Sequence, residues 1–186
     1  SSLSSAFWSR TEENSMLRTV ALVSALTAVA LADCGFPNGT DTKINWWQGP
    51  GTGNVKFSSL VPVDESGALE YPVSLKKPLY IKLHVDNEQG DYTSPNLLMT
   101  ITLEEYGGWS GCAWSEVPTF GLLSNLDACQ HGIPCPVKKG DQDITAKLDF
   151  TKFDSIISLL KDDSPYQLSI TLTDKTTNTY STIVAQ

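Results

Sequence analysis

Nucleophilic catalysis needs a serine or cysteine beside a base, and general acid–base work needs a titratable group tuned towards neutral pH. The sequence offers two histidines, His84 and His131, and four cysteines, Cys34, Cys112, Cys129 and Cys135. His84 falls on the polar side of an alternating run, where a surface histidine is expected. His131 lies inside the Cys129–Cys135 loop. No serine occupies a G-x-S-x-G turn; Gly108-Trp-Ser-Gly111 has the wrong spacing and no strand-to-helix setting. Glu104-Glu105 and Asp162-Asp163 are adjacent acid pairs of the kind that point to solvent. No His/Cys/Asp spacing resembles a zinc site. Gly49-Pro-Gly-Thr-Gly53 leads into a strand-like run rather than a helix, which argues against a dinucleotide loop. The expectation is a protein that is not an enzyme, with no catalytic residue, no cofactor and no metal.

The elements that would position any site are strands. Leu79, Ile81, Leu83 and Val85 alternate with polar residues, as do Leu97, Met99, Ile101 and Leu103; Ile144, Ala146, Leu148 and Phe150; and Leu168, Ile170 and Leu172. Side chains on a strand point to opposite faces in turn, so each run buries one face. Weaker strands are expected at Val55–Val61, Ala68–Leu75 and Tyr180–Ala185, with turn-rich segments between. Phe153, Ile156, Ile157 and Leu160 instead follow i, i+3, i+4, i+7, which predicts a helix of about two turns before Ser164-Pro165. The fold class that results is all-β: an antiparallel two-sheet sandwich with one short helix. The chain has 186 residues, 40% hydrophobic and 18% charged, enough apolar material for one core. Its net charge of −8 argues against nucleic acid as a partner.

Residues 1–15 read as a translated leader outside the fold. Residues 16–32 carry Met16, Arg18, an apolar run and Ala30-Leu31-Ala32, the three parts of a secretory signal. The run is shorter than the roughly 20 residues of a membrane-spanning helix. The expected domain is therefore residues 33–186, delivered to an oxidising compartment where disulfides persist. Asn38-Gly39-Thr40 is a glycosylation sequon, so Asn38 is the expected glycan site.

The segment 109–140 is long, irregular and apolar, with Trp109, Trp114, Val117, Phe120, Leu122, Leu123 and Leu126 among its Gly and Pro residues. Two readings are open: these side chains cap the core, or they line a mouth for an apolar ligand.

Three features resemble the ML lipid-recognition family. They are Cys129-x5-Cys135-Pro136 with Gly132 inside and Lys138-Lys139-Gly140 after it, Asp33-Cys34-Gly35, and Val117-Pro118-Thr119-Phe120. The resemblance covers essentially all of residues 33–186. It implies an immunoglobulin-like sandwich with an apolar cavity between its sheets, and a secreted lipid-binding or lipid-transfer protein holding a sterol, acyl chain or glycolipid tail. The lipid-binding residues chosen from alternation, nearness to the expected mouth and the resemblance are Leu83, Val85, Met99, Ile101, Val117, Phe120, Leu148, Phe150, Leu168 and Ile170. Cys129–Cys135 is the expected disulfide. In the family, the cysteine near the mature terminus pairs with one in the last strand, which here has none. Either Cys34 pairs with Cys112 or both stay free; parity favours the pair. The partners implied are a hydrophobic lipid and, for transfer, a protein receptor or membrane surface, with the protein a monomer in extracellular fluid or the lysosomal lumen. The alternative is a secreted recognition module acting on a receptor, with a filled core and no cavity of about 300 Å³ or more.

Overall fold

Alternating apolar residues bury one face of each run and wet the other, and nine strands form among the described residues. The computed structural model describes residues 34–53, 55–108 and 111–186. The expected leader and signal segment lies outside the described residues, as do Asp33, Asn54, Trp109 and Ser110. The strands are β1 (Trp46–Gln48), β2 (Val55–Val63), β3 (Leu79–Asn87), β4 (Leu97–Tyr106), β5 (Trp114–Glu116), β6 (Leu126–Asp127), β7 (Gly140–Leu148), β8 (Tyr166–Asp174) and β9 (Thr179–Ala185). One sheet has three strands in the order β2-β3-β7. The other has six, with β1-β9-β8-β4 in sequence and β5 and β6 sharing the outer edge of β4. Every pairing is antiparallel. The chain is an all-β sandwich, as the alternation predicts. Leu79, Ile81, Leu83 and Val85 face Leu97, Met99, Ile101 and Leu103 across one core.

A register shift between Phe57 and Ser59 marks a bulge in β2. It moves the inward set from Val55 and Phe57 to Leu60 and Pro62, and leaves Val61 exposed.

Two predicted elements differ from what forms. Ala68–Leu75 is not a strand; its only ladder contact is the isolated Val63–Leu69 bridge. Pro72 has no N–H to give a ladder. The predicted two-turn helix is one turn, Asp154–Ile157, after a 3-10 turn at Phe150–Lys152. The non-helical angles of Phe153 (φ −119°, ψ 61°) separate the two. Beyond Ile157 the bonds tighten to i→i+3, Leu159 N–H to Ile156 O and Leu160 N–H to Ile157 O. The predicted apolar face survives: Ile156 is wholly buried, and Phe153, Ile157 and Leu160 pack on the core.

One end of the sandwich is stitched shut. Gln48 of β1 donates from Nε2 to Val55 O at 2.9 Å and accepts the Phe57 N–H at Oε1, also at 2.9 Å. A side-chain amide thus pairs with β2 across the gap between sheets. The Gly49–Gly53 stretch crosses between the sheets here, with Thr52 and Gly53 N–H both donating to Tyr180 O. A Cβ on Gly51 would lie 2.7 Å from that oxygen, so close backbone approach accounts for the glycine. At the same end Asn87, fully buried, donates to Gly90 O at 2.7 Å and Lys138 O at 3.1 Å. Between Val55, Phe57, Leu83 and Val85 and the facing β8 and β9 the void is about 20 Å³. A more open hollow of about 430 Å³ lies among the turns at this end, lined by residues 89–93, Asn96, Asp174, Thr176 and Thr177.

Candidate functional site

At the opposite end the sheets part around a cavity of about 500 Å³. One wall is Leu60 and Pro62 of β2 with Leu79 and Ile81 of β3. The other is Leu168 and Ile170 of β8 with Ile183 and Ala185 of β9. The β2 bulge contributes directly, because without it Leu60 and Pro62 would face solvent.

Three irregular segments frame the mouth: Phe36–Ile44, Tyr71–Lys76 and Leu160–Tyr166. Each is pinned by polar contacts. Tyr71 Oη donates to Thr40 O, joining the first two. Lys161 N–H donates to Tyr166 Oη at 2.7 Å, and Lys161 Nζ bonds Glu105 at 2.7 Å, holding the third against β4. Lys76 Nζ meets Asp162 Oδ1 at 2.6 Å and ties the second to the third. Burial raises the Tyr71 phenol above its ordinary value, and the Asp41 charge adds to the rise. Tyr166 is raised chiefly by burial, with Glu105 and Asp162 contributing. Both phenols stay neutral at pH 7 and serve as hydrogen-bonding posts. The Cys34–Cys112 pair (Cα–Cα 5.3 Å) anchors the first segment to the turn between β4 and β5. Cys129–Cys135 also pairs (Cα–Cα 5.4 Å), so no cysteine is free.

Of the ten predicted lipid-binding residues, only Leu168 and Ile170 line this cavity. Leu83 and Val85 line the small void at the stitched end. Met99, Ile101, Leu148 and Phe150 form the floor of a separate pocket of about 260 Å³ beneath the Cys129–Cys135 loop, rimmed by Gln130, His131, Lys147 and Lys152. Val117 is buried in the core. Phe120 faces solvent, 79% exposed, because its positive φ of 51° turns the side chain outward, while Leu123 is wholly buried in its place.

The described residues of the segment 109–140 do not line the large cavity; Leu123 and Leu126 line the smaller pocket, Val117 is in the core, and Phe120 and Leu122 are exposed. Sequence reasoning missed Leu60, Pro62, Leu79, Ile81, Ile183 and Ala185 as cavity walls, and Tyr71–Lys76 and Leu160–Tyr166 as its rim. Leu79 and Ile81 belong to the same alternating run as Leu83, and it is this end of the strand that lines the large cavity.

No protein-family model matches this sequence, and no curated protein matches it. The remaining candidate chemistry is set by geometry. His84 lies on the outer face of β3, its ring nitrogens 2.7 Å from Asp141 and Asp143 of β7. Its pKa is raised, first by the Asp143 hydrogen bond. His131 Nδ1 lies 2.9 Å from Asp127 O within its loop. Among the described residues no group of three or more His, Cys, Asp or Glu side chains could hold a metal ion. Nor is any helix among them long and apolar enough to cross a membrane. Asn38 of the sequon is exposed, and its Nδ2 donates to Gln186 Oε1 at 2.8 Å.

Proposed function

We propose that the protein is a secreted lipid carrier that holds the apolar part of a sterol-sized or single-chain lipid between its sheets. One observation carries this reading: the cavity of about 500 Å³ walled by Leu60, Leu79, Ile81, Leu168, Ile170 and Ile183. That volume lies within the roughly 300–1,000 Å³ of small-molecule sites. Burying a chain there gains about 0.8 kcal/mol per CH2. The polar rim leaves a place for a head group, and no chemical step is required. The cavity also favours a carrier over a recognition module, which would have a filled core. Two disulfides support an oxidising destination. The Cys129–Cys135 element and the sandwich support kinship with the ML family.

The test is mass spectrometry of an organic extract of protein purified without detergent, followed by titration of the stripped protein with a fluorescent sterol and a fluorescent fatty acid. A stoichiometric lipid in the extract, or saturable binding of either probe, is the expected result. A clean extract with no binding of either probe would refute it.

A further inference from the structure

The charges at the mouth are unevenly committed. Two cations line it, Lys76 and Lys161, and each already has a carboxylate partner at hydrogen-bond distance: Asp162 at 2.6 Å for Lys76 and Glu105 at 2.7 Å for Lys161. Two further carboxylates line the same opening, Asp41 and Asp163. Neither forms an ion pair among the described residues. Both are exposed at the rim. The phenols of Tyr71 and Tyr166 are bonded to the main chain, through Thr40 O and Lys161 N–H. The uncommitted charge at the rim is therefore negative, with its cations neutralised in advance; beside it stand the Ser74 and Ser164 hydroxyls, which carry no charge.

An ionised carboxylate can only accept hydrogen bonds, so Asp41 and Asp163 can be satisfied only by a donor. A carboxylate or phosphate head would meet like charge at a rim bordering a low-dielectric cavity, where repulsion is less screened than in water. We infer that the cavity selects amphiphiles with an uncharged, hydrogen-bond-donating head, a hydroxyl, over amphiphiles of the same chain with an anionic head. This rests on the carrier reading and narrows its ligand class.

The experiment uses 1-dodecanol and dodecanoate, each displacing an uncharged fluorescent probe from the protein at pH 7.4. Dodecanol is expected to displace the probe at a concentration about tenfold lower, the effect of about 1.4 kcal/mol. An anion is costlier to desolvate at any apolar site, so the deciding readout is the Asp41→Asn, Asp163→Asn double variant. Dodecanoate affinity should rise by about fivefold there, with dodecanol unchanged within about twofold. Raising the salt concentration on the wild-type protein should narrow the gap in the same direction, an independent measurement that needs no variant. Dodecanoate binding as tightly as dodecanol, or a gap that neither variant nor salt narrows, would overturn the inference and leave the carrier reading intact. Displacement of the bound probe by neither would overturn the inference alone; failure of the probe itself to bind would count against the carrier reading.

Discussion

Gly132 and Lys147 approach so closely that a Cβ on the glycine would sit 1.9 Å from the lysine carbonyl oxygen. The contact is also a bond, because Lys147 N–H donates to Gly132 O at 2.9 Å. Gly132 has a φ of +108°, which other residues rarely adopt. The loop closed by Cys129–Cys135 is thus docked on the edge of β7 by backbone alone. Gly132→Ala is expected to destabilise the fold by about 3 kcal/mol, from strain and the displaced contact together. Chemical denaturation of the variant measures it; a loss below about 0.5 kcal/mol would show that the loop relaxes freely.

The two disulfides close loops of very different length, with sequence separations of 78 and 6 residues. In the chain-entropy account, removing Cys34–Cys112 costs about 4.5 kcal/mol and removing Cys129–Cys135 about 2 kcal/mol. Denaturation of the paired Cys→Ser variants should preserve that order. Equal losses would point to local contacts rather than chain entropy.

Leu168 reaches the cavity from β8 and is nearly buried, 8% exposed. Leu168→Trp would put an indole into the space that the proposed lipid would occupy. Probe affinity should fall about tenfold or more, while stability changes by less than about 2 kcal/mol because the added volume enters a void. Fluorescence titration and thermal melting on the same sample separate the two effects. By contrast Leu148→Met, beneath the smaller pocket, should leave probe binding unchanged.

His84 bridges two carboxylates on the outer sheet face, and its folded pKa lies above the ordinary 6.5. A raised pKa means that the imidazolium form is stabilised by folding. The contribution is full below about pH 6.5 and is lost as pH rises through the higher folded value. NMR titration of the ring should give a midpoint above 6.5, moving towards 6.5 in Asp143→Asn. The site is exposed, so its effect on overall stability is small.

The strand pattern was legible because period-two alternation is a local signal. β3 and β4 bury the residues that alternation assigns inward, and β7 and β8 do so except for Ile144 and Leu172, which are partly buried. The inward phase of β2 was not legible, since the bulge at Ser58–Ser59 leaves no mark in the apolar pattern. The cavity's position was harder still. It depends on which end of the sandwich is stitched, and Gln48, the glycine strap on Tyr180 and the buried Asn87 carry no such signal in their residue types. In sequence the rim segment around Tyr71 reads as part of a weak strand, Ala68–Leu75, and the one around Lys161 as a helix end and polar turn, so neither signals a rim. Phe120, expected at the mouth from its place in the segment and the resemblance, faces solvent instead, because in an irregular loop burial follows backbone angle; Leu123 is the buried residue there.

The Gln48 amide gives the sandwich the mechanics of a clothes-peg. One end is a hinge, held by the Gln48 bonds to Val55 and Phe57 and by the glycine strap on Tyr180. The other end is a pair of jaws, clasped at its lips by Lys76 and Asp162. On the proposed carrier reading, cargo would enter and leave by the jaws alone, and a bulkier cargo would call for a wider gape rather than passage through the molecule.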